Sequence, residues 1–294
     1  MASKKGALGI LEYVQIWAQS GGYALGDLRQ QSDNAIFAAA SPPQDENIYP
    51  LFRENIVSVD APQVGRAIST FNGAGFIGAM VGGVQNFGAF GLIFPELDAE
   101  LIRVATGALT DATTMSAWRM FGYNNVRHDL PQVGMSLHYK FQSTETGTDG
   151  EFYWANLIYP KGNLAPGYPA GNNAGGANPM SSPWQFIPTV TGKHPNGAAF
   201  SANMGFSKAE GYWIITSKPL ALSIYVSDAS ETTVQLPFLP VYSAATATNN
   251  WATRNGATTA ATSWSVSTGE VEMVAAGTAG NLNHFWYETE FVAA

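Results

Sequence analysis

The sequence predicts a mainly β protein: an antiparallel β-sandwich or barrel with one flanking α-helix at about residues 95–109 and long loops. Two observations lead to this fold class. Several segments alternate apolar and polar residues with the period of two that half-buried strands show, and only one long segment has the apolar spacing of a convincing helix. Hydrophobic residues make up 46% of the 294 residues, which is ample for a core, so we expect a folded chain.

The clearest alternation runs through residues 135–141. Four apolar side chains share one face of this segment: Met135, Leu137, Tyr139 and Phe141. The opposite face carries Ser136, His138 and Lys140, so we expect a half-buried strand with His138 in contact with solvent. After the turn-rich residues 143–150, residues 151–159 form a returning strand that includes Phe152 and Trp154. The two segments together predict a β-hairpin with a long loop.

The helix is predicted at residues 95–109. Pro95 suits the first helical position, and the acids at positions 96, 98 and 100 lie near the positive end of the helix dipole. One apolar stripe is expected to pack on the sheet: Leu97, Leu101, Val104, Ala105 and Ala108. A second, weaker helical segment covers residues 113–120.

Further strands and loops follow the hairpin. The alternation of strands recurs in residues 220–226, 264–266, 271–273 and 285–291. Residues 161–183 are almost all Gly, Pro, Asn and Ala, and they predict a long loop. Residues 243–262 are rich in Ala, Thr and Asn, and they predict another loop or an exposed insertion.

The Gly-rich segment 73–91 raises two functional questions. Its G-x-G-x-x-G match at residues 73–78 lacks the buried strand and the helix that dinucleotide binding requires, so we interpret the segment as a glycine-rich apolar strand or loop. The twenty-nine residues between Arg66 and Glu96 carry no charge, but polar residues and glycines dilute their hydrophobicity. We therefore predict no stable membrane insertion, and an apolar segment buried between subunits instead.

Composition restricts the function classes. Only 12% of the residues are charged, about half the usual fraction, which suits a surface that packs against copies of itself. The net charge of −8 would repel a phosphate backbone, so we expect no sequence-specific nucleic-acid binding. The chain has no cysteine, which excludes disulfides, thiolate nucleophiles and cysteine zinc sites. The first ten residues lead into polar and acidic positions without an apolar core, so we expect no signal peptide there.

No motif for catalysis, metal binding or cofactor binding emerges. The four histidines lack metal-ligand spacing. His128 could belong to a catalytic triad, but no serine lies in the G-x-S-x-G motif of a nucleophile elbow, and no P-loop motif occurs. We therefore predict no catalytic residues, no metal, no cofactor and no enzyme activity. Eight tryptophans and several carboxylates leave a second hypothesis open, a secreted β-sandwich that binds or cleaves carbohydrate. We favour the interpretation that these tryptophans fill a β core or an interface.

The order of these parts resembles the tail tube (major tail) proteins of long-tailed bacteriophages. The helix-then-hairpin passage carries most of the resemblance, in the segments FPELDAELIRVATGAL, VGMSLHYKF and EFYWANLIYP. It covers about residues 10–205, and residues 1–205 are accordingly expected to form a tail-tube-like core with the helix and the hairpin. Residues 206–294 depart from the family pattern, because their further strands either complete that core or form an exterior β domain.

The resemblance implies a non-enzymatic virion structural protein that assembles into stacked, hexameric rings around a hollow channel for DNA passage. Its partners would be copies of itself, other tail proteins and passing genomic DNA, and it would be made in the host cytoplasm and end in the virion tail. Besides the 161–183 loop, the expected assembly interface consists of Met135, Leu137, Tyr139, Phe141, Phe152, Trp154, Phe76, Ile77, Met80 and Val81. A coat or capsid-decorating protein built on a jelly roll would have the same composition, so this alternative stays open.

Overall fold

The computed structural model is mainly β, with antiparallel sheets. It describes residues 9–18, 47–48, 51–53, 58–59, 64–65, 68–73, 76–81, 86–87, 90–94, 109–110, 121–122, 132–144, 150–165, 182–188, 211–227, 230–243, 250–254, 257–259, 261–278 and 281–294. These residues contain strands and no helix. The helix predicted at 95–109 lies outside them, except for Leu109, which is in a two-residue strand. The weaker helical segment 113–120 also lies outside them.

Twenty-three strands occur in the described residues, numbered in chain order. The first eleven are β1 (Ile10–Ala18), β2 (Asn47–Ile48), β3 (Leu51–Arg53), β4 (Ser58–Val59), β5 (Val64–Gly65), β6 (Ile68–Gly73), β7 (Phe76–Val81), β8 (Asn86–Phe87), β9 (Phe90–Phe94), β10 (Leu109–Thr110) and β11 (Phe121–Gly122). The next five are β12 (Gln132–Gln142), β13 (Phe152–Ala165), β14 (Ser182–Pro188), β15 (Tyr212–Thr216) and β16 (Leu220–Val226). The last seven are β17 (Thr233–Gln235), β18 (Phe238–Pro240), β19 (Asn250–Arg254), β20 (Ala257–Thr259), β21 (Ala261–Trp264), β22 (Glu270–Met273) and β23 (Leu282–Ala293).

The largest sheet, sheet I, is built around the predicted hairpin. Its order is β3-β1-β12-β13-β14-β9-β4, and β15 also pairs with β13. One edge of β13 pairs with β12, and the other edge is shared between β15 at residues 154–158 and β14 at residues 162–165. The register of β12 and β13 places Leu137 opposite Leu157 and Gln142 opposite Phe152, so the hairpin prediction is confirmed.

Both faces of the hairpin are buried near the middle of β12. On the apolar face, Met135 lies opposite Tyr159, whose ring contacts Phe90 of β9 and Phe186 of β14 at centroid distances of 5.3 and 5.5 Å. On this face, β9, β13 and β14 therefore share one buried aromatic cluster. The opposite face of sheet I turns toward the second sheet, because Trp17 of β1 packs edge-on against Trp286 of β23.

The second sheet, sheet II, has the order β2-β16-β23-β19-β20, and β18 also pairs with β23. A third sheet, sheet III, contains β17, β22 and β21. Sheet II is apolar on both faces, as expected of a sheet covered on both sides. One face joins the core of sheet I through Leu220, Leu222, Ile224 and Trp286. The other face joins sheet III through a second cluster: Ala221, Tyr225, Ala252, Phe285 and Tyr287 with Val234, Leu236, Trp264, Val271 and Met273.

The C-terminal third confirms some predicted strands and corrects others. The strand predicted at 220–226 coincides with β16, and those at 271–273 and 285–291 lie within β22 and β23. The strand predicted at 264–266 is wrong after Trp264, because Val266 lies in a turn. The loop predicted at 243–262 is also wrong in part, since β19, β20 and the start of β21 lie there. Pairing with β23 accounts for β19 despite its weak hydrophobic pattern, since tertiary context decides strand formation there.

Parts of the Gly-rich segment and of the first predicted loop lie in strands. Residues 73 and 76–78 of the G-x-G-x-x-G match lie in the antiparallel pair of β6 and β7, as expected of a glycine-rich apolar strand. The loop prediction at 161–183 is wrong at both ends, because β13 continues to Ala165 and β14 begins at Ser182. The remainder of that loop, residues 166–181, lies outside the described residues.

Candidate functional site

A buried polar cluster lies between sheet I and sheet II. It consists of Ser136, His138, Asn156 and Thr216, which come from β12, β13 and β15 and lie on the same face of sheet I. Ser136 Oγ lies 2.7 Å from His138 Nε2, and His138 Nδ1 lies 2.6 Å from Asn156 Oδ1. Asn156 Nδ2 donates to Thr216 Oγ1 at 2.9 Å and to the carbonyl of Ile214 at 3.1 Å.

This network determines the protonation of the imidazole. Because the amide nitrogen of Asn156 is used by two acceptors, its oxygen faces His138 and can only accept, so Nδ1 carries the proton. Nε2 then accepts the hydroxyl hydrogen of Ser136. Burial lowers the pKa of His138 to about 3, against the opposing effect of the Asn156 hydrogen bond, so the ring is neutral at pH 7.

The Ser136–His138–Asn156 order has the hydrogen-bond geometry of a hydrolytic triad, but all three side chains are fully buried. The Tyr13 ring stacks on the imidazole, with ring centroids 4.2 Å apart and an interplanar angle of 15°. In this structure the Ser136 hydroxyl is closed off from solvent, and the hydrogen bonds of the cluster join three strands of sheet I. The prediction that His138 is solvated is wrong, because sheet II covers the polar face of β12.

Side chains of β1 connect this region to sheet II. Tyr13 donates from its hydroxyl to the carbonyl of Leu220 at 2.9 Å, and burial raises the pKa of Tyr13, which keeps this donor protonated. Gln15 accepts from the Leu222 amide at 3.1 Å and donates to its carbonyl at 3.4 Å. These side chains satisfy backbone groups of β16 in the manner of a neighbouring strand, so this part of the β16 edge is covered.

The turn between β15 and β16, residues 217–219, passes from sheet I to sheet II and is held by a buried carboxylate. Glu288 accepts from the Lys218 amide at 2.8 Å and from the Ser217 hydroxyl at 2.9 Å. Burial raises the pKa of Glu288, and these hydrogen bonds partly oppose the rise. Thr216 also donates to the carbonyl of Lys218 at 2.7 Å, which links the turn to the buried polar cluster. The turn is therefore fixed from both sheets.

Two other site types receive no support within the described ranges. No group of three or more His, Asp or Glu side chains there could hold a metal ion. Among the same residues, no helix has the length and apolar character needed to cross a bilayer.

The predicted interface residues differ widely in exposure. Met135 and Leu137 are fully buried in the chain's own core, and Phe141 is nearly so. Tyr139 is half-buried against the ring of Trp213. The backbone of Phe76, Ile77, Met80 and Val81 lies in β7, and their side chains lie outside the description.

The turn end of the hairpin, where β12 leads into β13, carries large apolar side chains on both faces. We define the hairpin-end surface by Ile10, Phe152, Trp213 and Ile215, with exposed fractions of 71%, 56%, 57% and 47%. Trp213 and Ile215 lie on the face of Leu157, whereas Ile10 and Phe152 lie on the face of His138.

Half-buried Trp154 lies on the same face as Ile10 and Phe152. The Lys140 ammonium lies 4.9 Å from the centroid of the Phe152 ring and 6.0 Å from that of the Trp154 ring. Sequence reasoning named Phe152 and Trp154 but missed the residues contributed by β1 and β15. The uncharged run Tyr212–Thr216 was the available signal, because its apolar residues do not alternate with polar ones.

Comparison with known proteins adds no relationship: no family model, curated protein or solved structure matches the chain.

Proposed function

We propose that this chain is a non-enzymatic virion structural protein, a tail tube subunit that assembles with copies of itself into stacked rings around a channel for DNA. The observation that carries the proposal is the hairpin-end surface, which is apolar on both faces of one sheet. Sheets with two apolar faces are normally covered on both. Assembly would cover the hairpin-end surface.

The interior of the chain agrees with a structural function. The triad-like arrangement in the buried polar cluster is closed off from solvent, and its hydrogen bonds connect strands to one another. The low charge content agrees with extensive contacts between subunits. The net charge of −8 suits a channel through which DNA passes without binding.

The sheet arrangement suits a layered β-sandwich subunit. In this proposal residues 206–294 complete the core begun by residues 1–205, because β15 pairs within sheet I and β16 and β23 pack on it. Sheet III, packed on the far side of sheet II, is the additional part beyond a minimal tube subunit. The ring number of six, the contacts with other tail proteins and the location in the virion tail follow from the family resemblance alone.

Electron microscopy of the purified full-length chain, with light scattering over a range of concentration and salt, tests this function. We expect rings or hollow tubes with a central channel. Closed shells would instead support the coat or capsid-decorating alternative. Small dispersed particles under every condition, together with a tryptophan fluorescence change on adding glycans, would contradict self-assembly and favour the carbohydrate-binding alternative.

A further inference from the structure

We infer that the outer edge of β15 is the place where a second copy of this chain docks, by adding a strand to sheet I beside Trp213 and Ile215. This inference rests on the proposed self-assembly and names the surface that it uses. Among the described residues β15 pairs with β13 on one edge, and no strand pairs with the other edge. An exposed apolar edge of this kind is a template for strand addition.

The contrast with β16 supports this assignment. Where β16 lacks a paired strand, Tyr13 and Gln15 supply hydrogen bonds to its backbone, and β2 pairs with it at residues 224–225. The usual protections of an edge strand are charged side chains, proline and bulges. Tyr212–Thr216 contains no charged residue and no proline, and it pairs with β13 without a bulge.

The exposed area is large enough to matter for association. From the exposed fractions of Ile10, Phe152, Trp213 and Ile215, and about 150–250 Å² for a full aromatic side chain, the hairpin-end surface offers about 400 Å² of apolar side chain. A stable protein interface uses about 800 Å² per partner. Trp213 and Ile215, the two that belong to β15, account for about half of this area and would thus supply about a quarter of one interface. The backbone edge of β15 and the adjoining half-buried Tyr139 and Trp154 would add to it.

Charge favours a second copy over an anionic partner. The chain carries a net charge of −8, which disfavours a nucleic acid or an acidic membrane surface as the occupant. Two copies of an acidic chain also repel each other, and an uncharged strand is where they can approach with the least repulsion. At this end of the sheet, the ammonium of Lys140 lies over aromatic rings of its own chain.

The absence of cysteine allows a direct test by site-specific labelling of the full chain. Ile215→Cys introduces a thiol on the proposed edge. As a control, Val274→Cys introduces a thiol directly after β22 of sheet III, where the native side chain is 61% exposed. A maleimide dye would be added to each variant in dilute, dissociated samples and in concentrated, assembled samples. We expect assembly to slow labelling of the first variant roughly tenfold or more and to leave the second unchanged, since a covered thiol reacts only after dissociation.

A second pair of variants reports on affinity. Ile215→Lys should raise the concentration needed for assembly by roughly tenfold or more, whereas Val274→Lys should not change it. If the wild-type chain assembles and the thiol at position 215 reacts as fast in the assembly as in the dissociated chain, the β15 inference is wrong, whereas self-assembly is retained and must use another surface. If no sample assembles at any concentration, the proposed function fails, and the inference fails with it.

Discussion

Protonation of His138 should make the fold sensitive to acid. The pKa of its imidazole is about 3 in the folded chain, because burial disfavours the charged ring, and about 6.5 in the unfolded chain. Between these values the unfolded state binds a proton that the folded state does not. The contribution of neutral His138 to the unfolding free energy is therefore fully present above pH 6.5, and it is lost as the pH falls toward 3.

The difference between the two pKa values sets the size of this effect. At about 1.4 kcal/mol per pKa unit, His138 alone should cost about 3 kcal/mol of unfolding free energy at pH 4.5 and about 5 kcal/mol below pH 3. His284 acts in the same direction, since burial lowers its pKa to about 4, and Glu288, whose pKa is raised, acts in the opposite direction. The wild-type pH profile therefore sums several groups, and a variant is needed to isolate one.

The variant His138→Gln isolates this contribution, because it keeps a polar side chain and removes the titrating group. Urea unfolding would be followed by tryptophan fluorescence at pH 7.5 and pH 4.5 for the wild type and for the variant. We expect the variant to be less stable at pH 7.5, and to lose about 3 kcal/mol less than the wild type on moving to pH 4.5. Equal losses in both proteins would refute the assignment of a neutral, buried imidazole. His284→Gln serves as the matched control for the second histidine.

Three further substitutions test the packing and the turn between the sheets by urea unfolding at pH 7.5. Gly134→Ala would place a Cβ 2.1 Å from Cε2 of the buried Trp17 ring, and we expect a loss of about 1–3 kcal/mol; an unchanged midpoint would show that the indole can shift. Glu288→Ala would leave the Lys218 amide in the turn without its acceptor, at a cost of about 1–3 kcal/mol, and wild-type stability would contradict that role. Lys218→Ala removes an exposed ion pair with Glu290 and should cost less than about 1 kcal/mol; a larger loss would mean that the pair is more than a surface contact.

The hairpin could be predicted from sequence because its information is local. Alternation fixes which residues of β12 share a face, and it correctly separated Met135 and Leu137 from Ser136 and His138. Alternation does not show what covers each face. Burial of His138 depends on sheet II, whose strands β16 and β23 follow His138 by more than 80 residues.

The strand β19 illustrates a second limit. Its residues, NWATR, have little hydrophobic signal, and they form a strand because β23 supplies a pairing edge and Trp286 stacks on Trp251. The buried polar cluster was beyond sequence reasoning for a similar reason. Asn156 reaches Thr216 through strand pairing across 60 positions, which no spacing rule anticipates. The exposed end of β15 was detectable in principle, because an uncharged apolar run without alternation indicates a strand with two apolar faces.

The polar contacts between the layers bear on how an assembly surface keeps its shape. Apolar packing between sheet I and sheet II is non-directional and tolerates sliding, whereas the hydrogen bonds from Tyr13 and Gln15 to the backbone of β16 form only in one alignment. Thr216 and Glu288 fix the turn that leaves β15 in the same way. The edge strand proposed for docking is therefore held at its end by directional bonds to both layers. Because a pre-organised surface loses less conformational entropy on binding, this arrangement would favour the ordered, repeated contacts that a tube requires.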